Sequence, residues 1–450
     1  MTAPSASPSF AAATRLWLRI GLIGFGGPAG QIALMHRLLV EERRWIGEAR
    51  FLNALNYCML LPGPEAQQLA IYIGWALHGI RGGVVAGTLF VLPGALIVLV
   101  LSAIYALYGG VPLVAALFYG IKAAVLAVVV EAVIRIAKRA LRNGWMVAIA
   151  AVAFIALFAF AVPFPVVVLA AALIGLAGGR VAPDRFAVAQ HGAARADGAV
   201  DRALAAREAQ GMRWQRPATV ILVCLMLWLA PTLALAAALG WSATFTQIGT
   251  FFSQMGVVTF GGAYAALAWV AQAAVETYGW LGPGEMLDGL GLAETTPGPL
   301  ILMLQLVGFL AAFRGAGGLD PLLAGALGAA LTTWVTFLPS FLFVLAGAPY
   351  VERLGRIRVL SAALSAITAA VVGVILNLAI WFALHVLFAR VADVAVGPLR
   401  LSRPDLATLD PAALVLALAA FVALLRFKLG LIAVLAAAAL LGMAWKLVAA

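Results

Sequence analysis

The eight residues GFGGPAGQ, Gly24 to Gln31, put four glycines and a proline inside an apolar segment. The Phe-Gly-Gly break returns in TFGGAYA at Thr259 to Ala265, and a second break, Pro-Gly-Pro, occurs at Pro62, Gly63, Pro64 and again at Pro297, Gly298, Pro299. Glycine and proline interrupt the helical ladder. Inside a membrane that is tolerated only where backbone lines a cavity or is buried in protein. A helix starting just after such a break aims free N–H groups and its positive dipole end at the space in front, which suits an oxyanion. Proline in the first turn fits, because its missing N–H would be unpaired anyway. Close-packing glycines and ordinary kinks would account for one break. Four at matched places point to a site that includes Gly26, Gly27, Pro28, Gly261, Gly262 and both Pro-Gly-Pro turns.

Side chains near the breaks extend that chemistry. Gln31, Gln67, Gln68 and Gln305 can donate hydrogen bonds to a tetrahedral anion, or bond a neighbouring helix as glutamine does in membrane bundles. Thr295 and Thr296, just before the second Pro-Gly-Pro, read as caps or cavity donors. Glu65 falls in the first turn after the first Pro-Gly-Pro, where a carboxylate stabilises a helix start by ~0.3–1 kcal/mol, and a proton-carrying role is the alternative. Lys122 lies in the middle of an apolar run, where insertion costs ~2.5–3.5 kcal/mol. An anion-attracting or ion-paired role follows. Glu131 and Arg135, four apart, read as a local ion pair. The four histidines and the cysteines Cys58 and Cys224 form no ligand pattern, so no metal, cofactor or disulfide is expected.

These residues need elements that cross a bilayer, and the composition supplies them. The chain has 450 residues, 65% hydrophobic against about 45–50% for soluble domains, with 10% charged. Apolar runs at Val84–Leu107, Val111–Val130, Trp145–Leu176, Val220–Leu239, Leu322–Leu345, Leu360–Leu387 and Ala412–Leu425 reach or approach the ~20 residues of a span. They lack two-residue alternation, so helices are expected rather than a barrel. The expected fold is an all-α polytopic membrane protein of about 10–13 membrane segments, some interrupted or re-entrant. The start, MTAPSASPSF, carries no cleavable signal pattern. A net charge of +11, mostly in short loops, reads as topology signal and attraction to anionic lipids, not as nucleic-acid binding.

The chain is also its own repeat. A shift of 235 pairs Gly21 with Gly256, Phe25 with Phe260, Trp45 with Trp280 and each Pro-Gly-Pro with the other. After an 11-residue insertion around Arg314 to Pro321, a shift of 246 pairs Leu92 and Pro93 with Leu338 and Pro339. The expected organisation is residues 1–180 as one copy, 181–240 as a basic connector plus an extra span, and 241–450 as the second copy. Charge orients the copies. Arg37, Arg43, Arg44 and Arg50 fill a loop whose counterpart has no Lys or Arg, and Arg135, Lys138, Arg139 and Arg142 likewise face an uncharged counterpart. Arg353, Arg356 and Arg358 reverse the pattern, while Arg390, Arg400 and Arg403 run against it. Cytoplasmic loops are the basic ones, so the repeats are expected to be inverted, as in secondary transporters with midplane sites.

LLPGPEAQQLAIYIGW after GFGGPAGQ, echoed by TTPGPLILMLQLVGF after TFGGAYA, resembles the chromate transporter family from about Thr14 to the C-terminus. The resemblance implies a multi-pass protein of the bacterial inner membrane that exports chromate and confers resistance, with sulfate as the close tetrahedral analogue. It also carries the family's glycine and Pro-Gly-Pro motifs onto Gly26, Gly27, Pro28, Pro62, Gly63, Pro64, Gly261, Gly262, Pro297, Gly298 and Pro299. Ala263 departs from the pattern, standing where the first copy has Pro28. There is no phosphate-binding G-x-x-x-x-G-K-[ST] loop and no cluster for an enzyme that reduces an oxyanion. An importer of sulfate-like anions or an anion channel remains the alternative, and a homodimer remains open.

Overall fold

The computed structural model describes residues 8–25, 27–186, 199–200, 203–204, 217–260, 262–348 and 358–449. Gly26, Gly261, His191, Arg353, Arg356 and most of the connector lie outside the described residues. The first apolar segments form α1 (Phe10–Ile23), α2 (Gly27–His36) with a π turn at Arg37–Glu42, and α3 (Glu48–Leu60). Then come α4 (Glu65–Tyr108), α5 (Pro112–Ala140), α6 (Gly144–Phe160), α7 (Phe164–Val181) and the single turn α8 (Pro183–Phe186). The extra span is α9 (Pro217–Leu239). It is followed by α10 (Thr244–Val258), α11 (Ala263–Gln272) with a π turn at Ala273–Thr277, and α12 (Pro283–Thr295). The chain ends in α13 (Met303–Arg314), α14 (Pro321–Gly347), α15 (Arg358–Leu387), α16 (Pro411–Leu425) and α17 (Leu431–Ala449). The shift of 235 carries α3 onto the bounds of α12 and the first π turn onto the second within one residue. It also pairs Arg44, at φ +52, with Gly279, at φ +63.

Among the described residues, seven helices are long and apolar enough to cross a membrane, and three shorter apolar helices of 10–17 residues join them. The protein is an all-α polytopic membrane protein. On α9, Leu222, Met226, Leu229 and Leu233 recur at helical spacing and are all exposed, the apolar face a lipid-bathed helix presents. Expected runs and observed helices differ where charge begins. The run Val111–Val130 starts at the N-cap Val111 and continues into the 29-residue α5, whose last turn carries Lys138 and Arg139. Cations suit a helix C-terminus, so the helix continues past its apolar part.

α4 contains a reversal that its composition hides. His78 and Gly79 leave helical geometry, with Gly79 at φ +68, and a Cβ on Gly74 would fall 2.4 Å from the Gly82 carbonyl oxygen. Residues eight apart in one straight helix lie about 12 Å from each other, so the chain folds back there. Gly308 and Gly328 make the equivalent close pair between α13 and α14.

One element departs from the all-helical expectation. β1 (Val391–Val396) pairs antiparallel with β2 (Leu399–Pro404) around Gly397, whose φ of +60° is what a two-residue hairpin turn needs at its first position. The alternating VADVAV precedes that Gly-Pro turn, and Arg400 and Arg403 ride on β2.

The chain divides into two compact units. Unit 1 is Met1–Leu99, Val188–Ala263 and Thr296–Arg358, and unit 2 is Val100–Ala187, Tyr264–Thr295 and Val359–Ala450. In unit 1, α14 packs against α13, α10 and α9, over a core that includes Trp17, Phe90, Phe252 and Phe309. In unit 2, α5 is the centre, packed by α16, α17 and α12. At the α5–α17 crossing a Cβ on Gly120 would lie 1.8 Å from the Ala438 carbonyl oxygen. Small residues let membrane helices meet backbone to backbone in this way.

Candidate functional site

Unit 1 holds both Phe-Gly-Gly breaks and both Pro-Gly-Pro turns. α1 stops at Ile23 and α2 starts at Gly27, which takes φ +66 with half-buried Pro28 beside it in the first turn. α10 stops at Val258, and Gly262, at φ +101, leads into α11. The turns are buried, with Gly63 at φ +112 and Gly298 at φ +106. Pro64 leads directly into α4, whereas Pro299 leads into a 3-10 turn, Leu300–Leu302, before α13.

A broken helix leaves carbonyls without partners, and at membrane depth each must be met by protein. In Pro-Gly-Pro only the glycine has an N–H to give. The Gly63 N–H donates to the Thr259 carbonyl at 2.9 Å, and the Gly298 N–H donates to the Gly24 carbonyl at 2.9 Å. The 235 shift converts the first bond into the second. Neighbouring contacts repeat too. Glycine 94 packs on Gly298 as Ser340 packs on Gly63, and Gly21 meets Pro93 as Gly256 meets Pro339.

The glutamines divide by what they already hold. Gln68 donates Nε2 to the Pro62 carbonyl at 2.7 Å, Gln31 to the Gly24 carbonyl at 3.2 Å, and Gln305 to the Ala95 carbonyl at 2.8 Å while its Oε1 accepts from Thr333. Two amide donors, those of Gln31 and Gln68, therefore support interrupted backbone, and the third ties α13 to α4. Gln67 is fully buried and neither of its amide atoms has a protein partner among the described residues; Gln31 Oε1, Gln68 Oε1, Thr336 Oγ1 and Ser340 Oγ are likewise buried without one. Buried polar atoms without partners are uncommon in proteins, and Gln67 brings a donor as well as acceptors. Glu65 opens α4 with its carboxylate 3.7 Å from the point where a Cβ on Gly262 would stand, beside the second break. Thr296 is buried just before Pro297, and the Thr295 hydroxyl donates back to the Gly291 and Leu292 carbonyls.

Lys122 belongs to unit 2, and there it is ion-paired. Its Nζ lies 3.2 Å from Asp288 Oδ2 of α12, and the Tyr105 hydroxyl donates to the same oxygen at 2.7 Å. Glu294, six residues further along α12, is buried and accepts from the Tyr264 hydroxyl at 2.6 Å. Glu131 and Arg135 pair on one helix at 3.2 Å, as their spacing expects. Sequence reasoning missed Asp288, Tyr105 and Ser340. An unpaired lysine in mid-span demands a buried acid, and GEMLDGLGLAET is the acidic stretch beside a break that could have supplied the search.

No solved structure matches the chain. The sequence profile of the family described as Chromate transporter matches residues 11–176 and 246–443. A chromate transport protein of Pseudomonas aeruginosa is 34% identical over 365 residues, which cover 80% of this chain and 77% of the relative. A chromate transport protein of Cupriavidus metallidurans is 30% identical over 367 residues, 80% of this chain and 79% of the relative. An uncharacterised transporter of Methanocaldococcus jannaschii is 24% identical over 373 residues, 82% and 83% respectively. The two matched segments bracket α9 and the connector, and together they take in every break and turn described above. The chain belongs to the chromate transporter family.

Proposed function

We propose that this protein is a secondary transporter that exports chromate across the bacterial inner membrane and so confers resistance to it. The observation that carries the reading is the reciprocal closure of the two Pro-Gly-Pro turns on the two broken helices. It fixes helix starts at Gly27 and Glu65 behind interrupted backbone, where N–H groups and dipole ends favour a tetrahedral dianion. Gly27, Pro28, Gly262, Thr296 and both turns line the proposed binding region. Gln67 supplies an unspent donor, while Gln31, Gln68 and Gln305 hold the backbone in place. The basic and uncharged loops of the two copies support inverted repeats, 1–180 and 241–450, joined through 181–240.

A transporter family stands against an enzymatic reading. The membrane potential alone is an adequate driving force: moving two negative charges outward across an inside-negative 100 mV is favourable by about 2 × 2.3, or 4.6 kcal/mol, more than a thousandfold in concentration ratio. Cells expressing the chain are expected to accumulate less chromate and survive more of it. Inverted vesicles should take chromate up with saturation, and excess sulfate should compete. Greater accumulation in cells would establish import instead, and uptake that never saturates would establish a channel.

A further inference from the structure

Lys122 and the buried Asp288 form an ion pair whose surroundings do not suit a resting ammonium. The lysine Nζ lies 3.1 Å from the point where a Cβ on Gly284 would stand, against the first turn of the 13-residue α12. That is the positive end of the helix, which favours anions. Glu285 in the same turn is committed to the Gly282 N–H at 2.8 Å. Asp288 is the one carboxylate that the described residues place in salt-bridge distance of Lys122. Its side chain is only 6% exposed, and Oδ1 has no partner among the described residues. The Lys122 side chain is the more open of the two, 29% exposed.

A dianion entering here would meet the ammonium beside the start of α12, whose first turn already carries the Glu285 carboxylate. It would compete with Asp288 for Lys122. Once the ammonium turns to the anion, Asp288 becomes a buried carboxylate without its counter-charge, a state relieved by taking a proton. We infer that the Lys122–Asp288 pair is a proton-linked anion switch, in which Lys122 binds either the Asp288 carboxylate or an oxyanion, and each anion bound brings one proton onto Asp288. The proton comes from solvent, and an O–H bond forms on the carboxylate.

The groups facing Asp288 are few. α5 brings Lys122, α4 brings Tyr105, and α12 itself carries Glu285 one turn earlier. α17 also packs on α12, and its titratable group, Lys446, lies over the Tyr119 ring at 4.3 Å. The repeat partners of Lys122 and Asp288 are Thr368 and Asn53, so the pair, one residue from each copy, has no repeat-related counterpart and carries one proton. Coupling is reciprocal: the anion promotes protonation, and protonation promotes anion binding.

The inference rests on the anion-transport reading. It is tested by calorimetric titration of chromate into the purified full chain in lipid nanodiscs, at alkaline pH where chromate is fully dianionic, in two buffers of different ionisation enthalpy. Wild type should take up one proton per chromate bound, and affinity should weaken as pH rises. Asp288→Asn should abolish proton uptake and bind at least about tenfold more tightly at the highest pH, within the usual range of coupling. Tyr105→Phe removes a hydrogen bond that favours the carboxylate and should move the pH dependence upward. Chromate binding without proton uptake in wild type, a measurement that needs no variant, would overturn the switch and leave the transport reading standing. No chromate binding at all would overturn both.

Discussion

Gly27→Leu separates a glycine kept for an anion from one kept for packing. Gly27 opens α2 at φ +66, and a Cβ there would meet nothing within 4 Å. By contrast a Cβ on Gly21 would lie 2.1 Å from the Leu89 carbonyl oxygen, and one on Gly298 would lie 2.7 Å from Leu302 Cδ1 and 3.2 Å from Gly94 Cα. At Gly27 the cost to folding is therefore conformational alone. A left-handed residue costs about 1–2 kcal/mol, partly offset by ~0.4–1 kcal/mol from a stiffer unfolded chain, so the net is about 1 kcal/mol. That is small against the ~5–15 kcal/mol by which proteins are stable. The leucine side chain would instead fill the space in front of the α2 N–H groups. Losing one hydrogen bond to a charged ligand costs about 1.5–3 kcal/mol, so chromate uptake should fall by about ten- to a hundredfold. The assay is initial uptake into inverted vesicles at matched amounts of inserted protein, beside the thermal midpoint of the purified chain. Gly27→Asn, which tolerates the left-handed region, should keep the midpoint and more of the uptake. Wild-type uptake in Gly27→Leu would refute the reasoning, as would a loss of inserted protein equal to the loss of uptake.

Gln68→Leu strands the Pro62 carbonyl and should destabilise the purified chain by about 1–3 kcal/mol, read as a lower thermal midpoint. Gln67→Leu removes no hydrogen bond to the described residues and should leave the midpoint in place while chromate uptake falls; a lower midpoint would make Gln67 a structural group. In a background with Cys58 and Cys224 replaced by alanine, Gly47→Cys should be labelled only from the cytoplasmic side and Gly282→Cys only from outside, and same-side labelling would end the inverted-repeat reading. Lys122→Met leaves Asp288 buried without its counter-charge, a loss of about 3–5 kcal/mol, so inserted protein should drop and should recover in the Lys122→Met/Asp288→Asn double variant. Equal yields of the single and double variants would show that the pair carries no stability.

Much of the architecture was legible because a bilayer imposes length and polarity on any helix that crosses it. α9 and α14 fall within a few residues of their apolar runs, and the long run Trp145–Leu176 divides at Ala161–Pro163 into α6 and α7. What stayed hidden depends on contacts between distant residues. The reversal at His78–Gly79 needs Gly74 against Gly82, and no hydropathy pattern records that. The Phe-Gly-Gly and Pro-Gly-Pro breaks were legible as breaks, but the partners of the glutamines were not. A glutamine beside broken backbone looks the same in sequence whether its amide meets an anion or an orphaned carbonyl. Gln31 and Gln68 meet carbonyls that the breaks leave within reach, and Gln305 meets the Ala95 carbonyl of α4. Asp288 was missed for a similar reason: it lies 166 positions from Lys122, and only the packing of α12 on α5 brings them together.

The proposed copies and the compact units divide the chain differently, and the hydrogen bonds bear on why. Residues 1–99 of the first copy and 296–358 of the second fall in one unit, while their continuations, 100–187 and 359–450, fall in the other. A copy on its own would hold a Pro-Gly-Pro turn whose single N–H had no acceptor and a broken helix whose carbonyl lacked that donor. Each unsatisfied group at membrane depth costs several kcal/mol. The other copy meets both needs, Gly63 to Thr259 and Gly298 to Gly24, so the breaks are stable only as a pair. The departures from this symmetry then carry meaning. Gln67, Glu65 and Lys122 stand opposite Leu302, Leu300 and Thr368, and Asp288 stands opposite Asn53. The backbone frame is shared equally between the copies, whereas the side chains able to hold a charge or give a hydrogen bond are not.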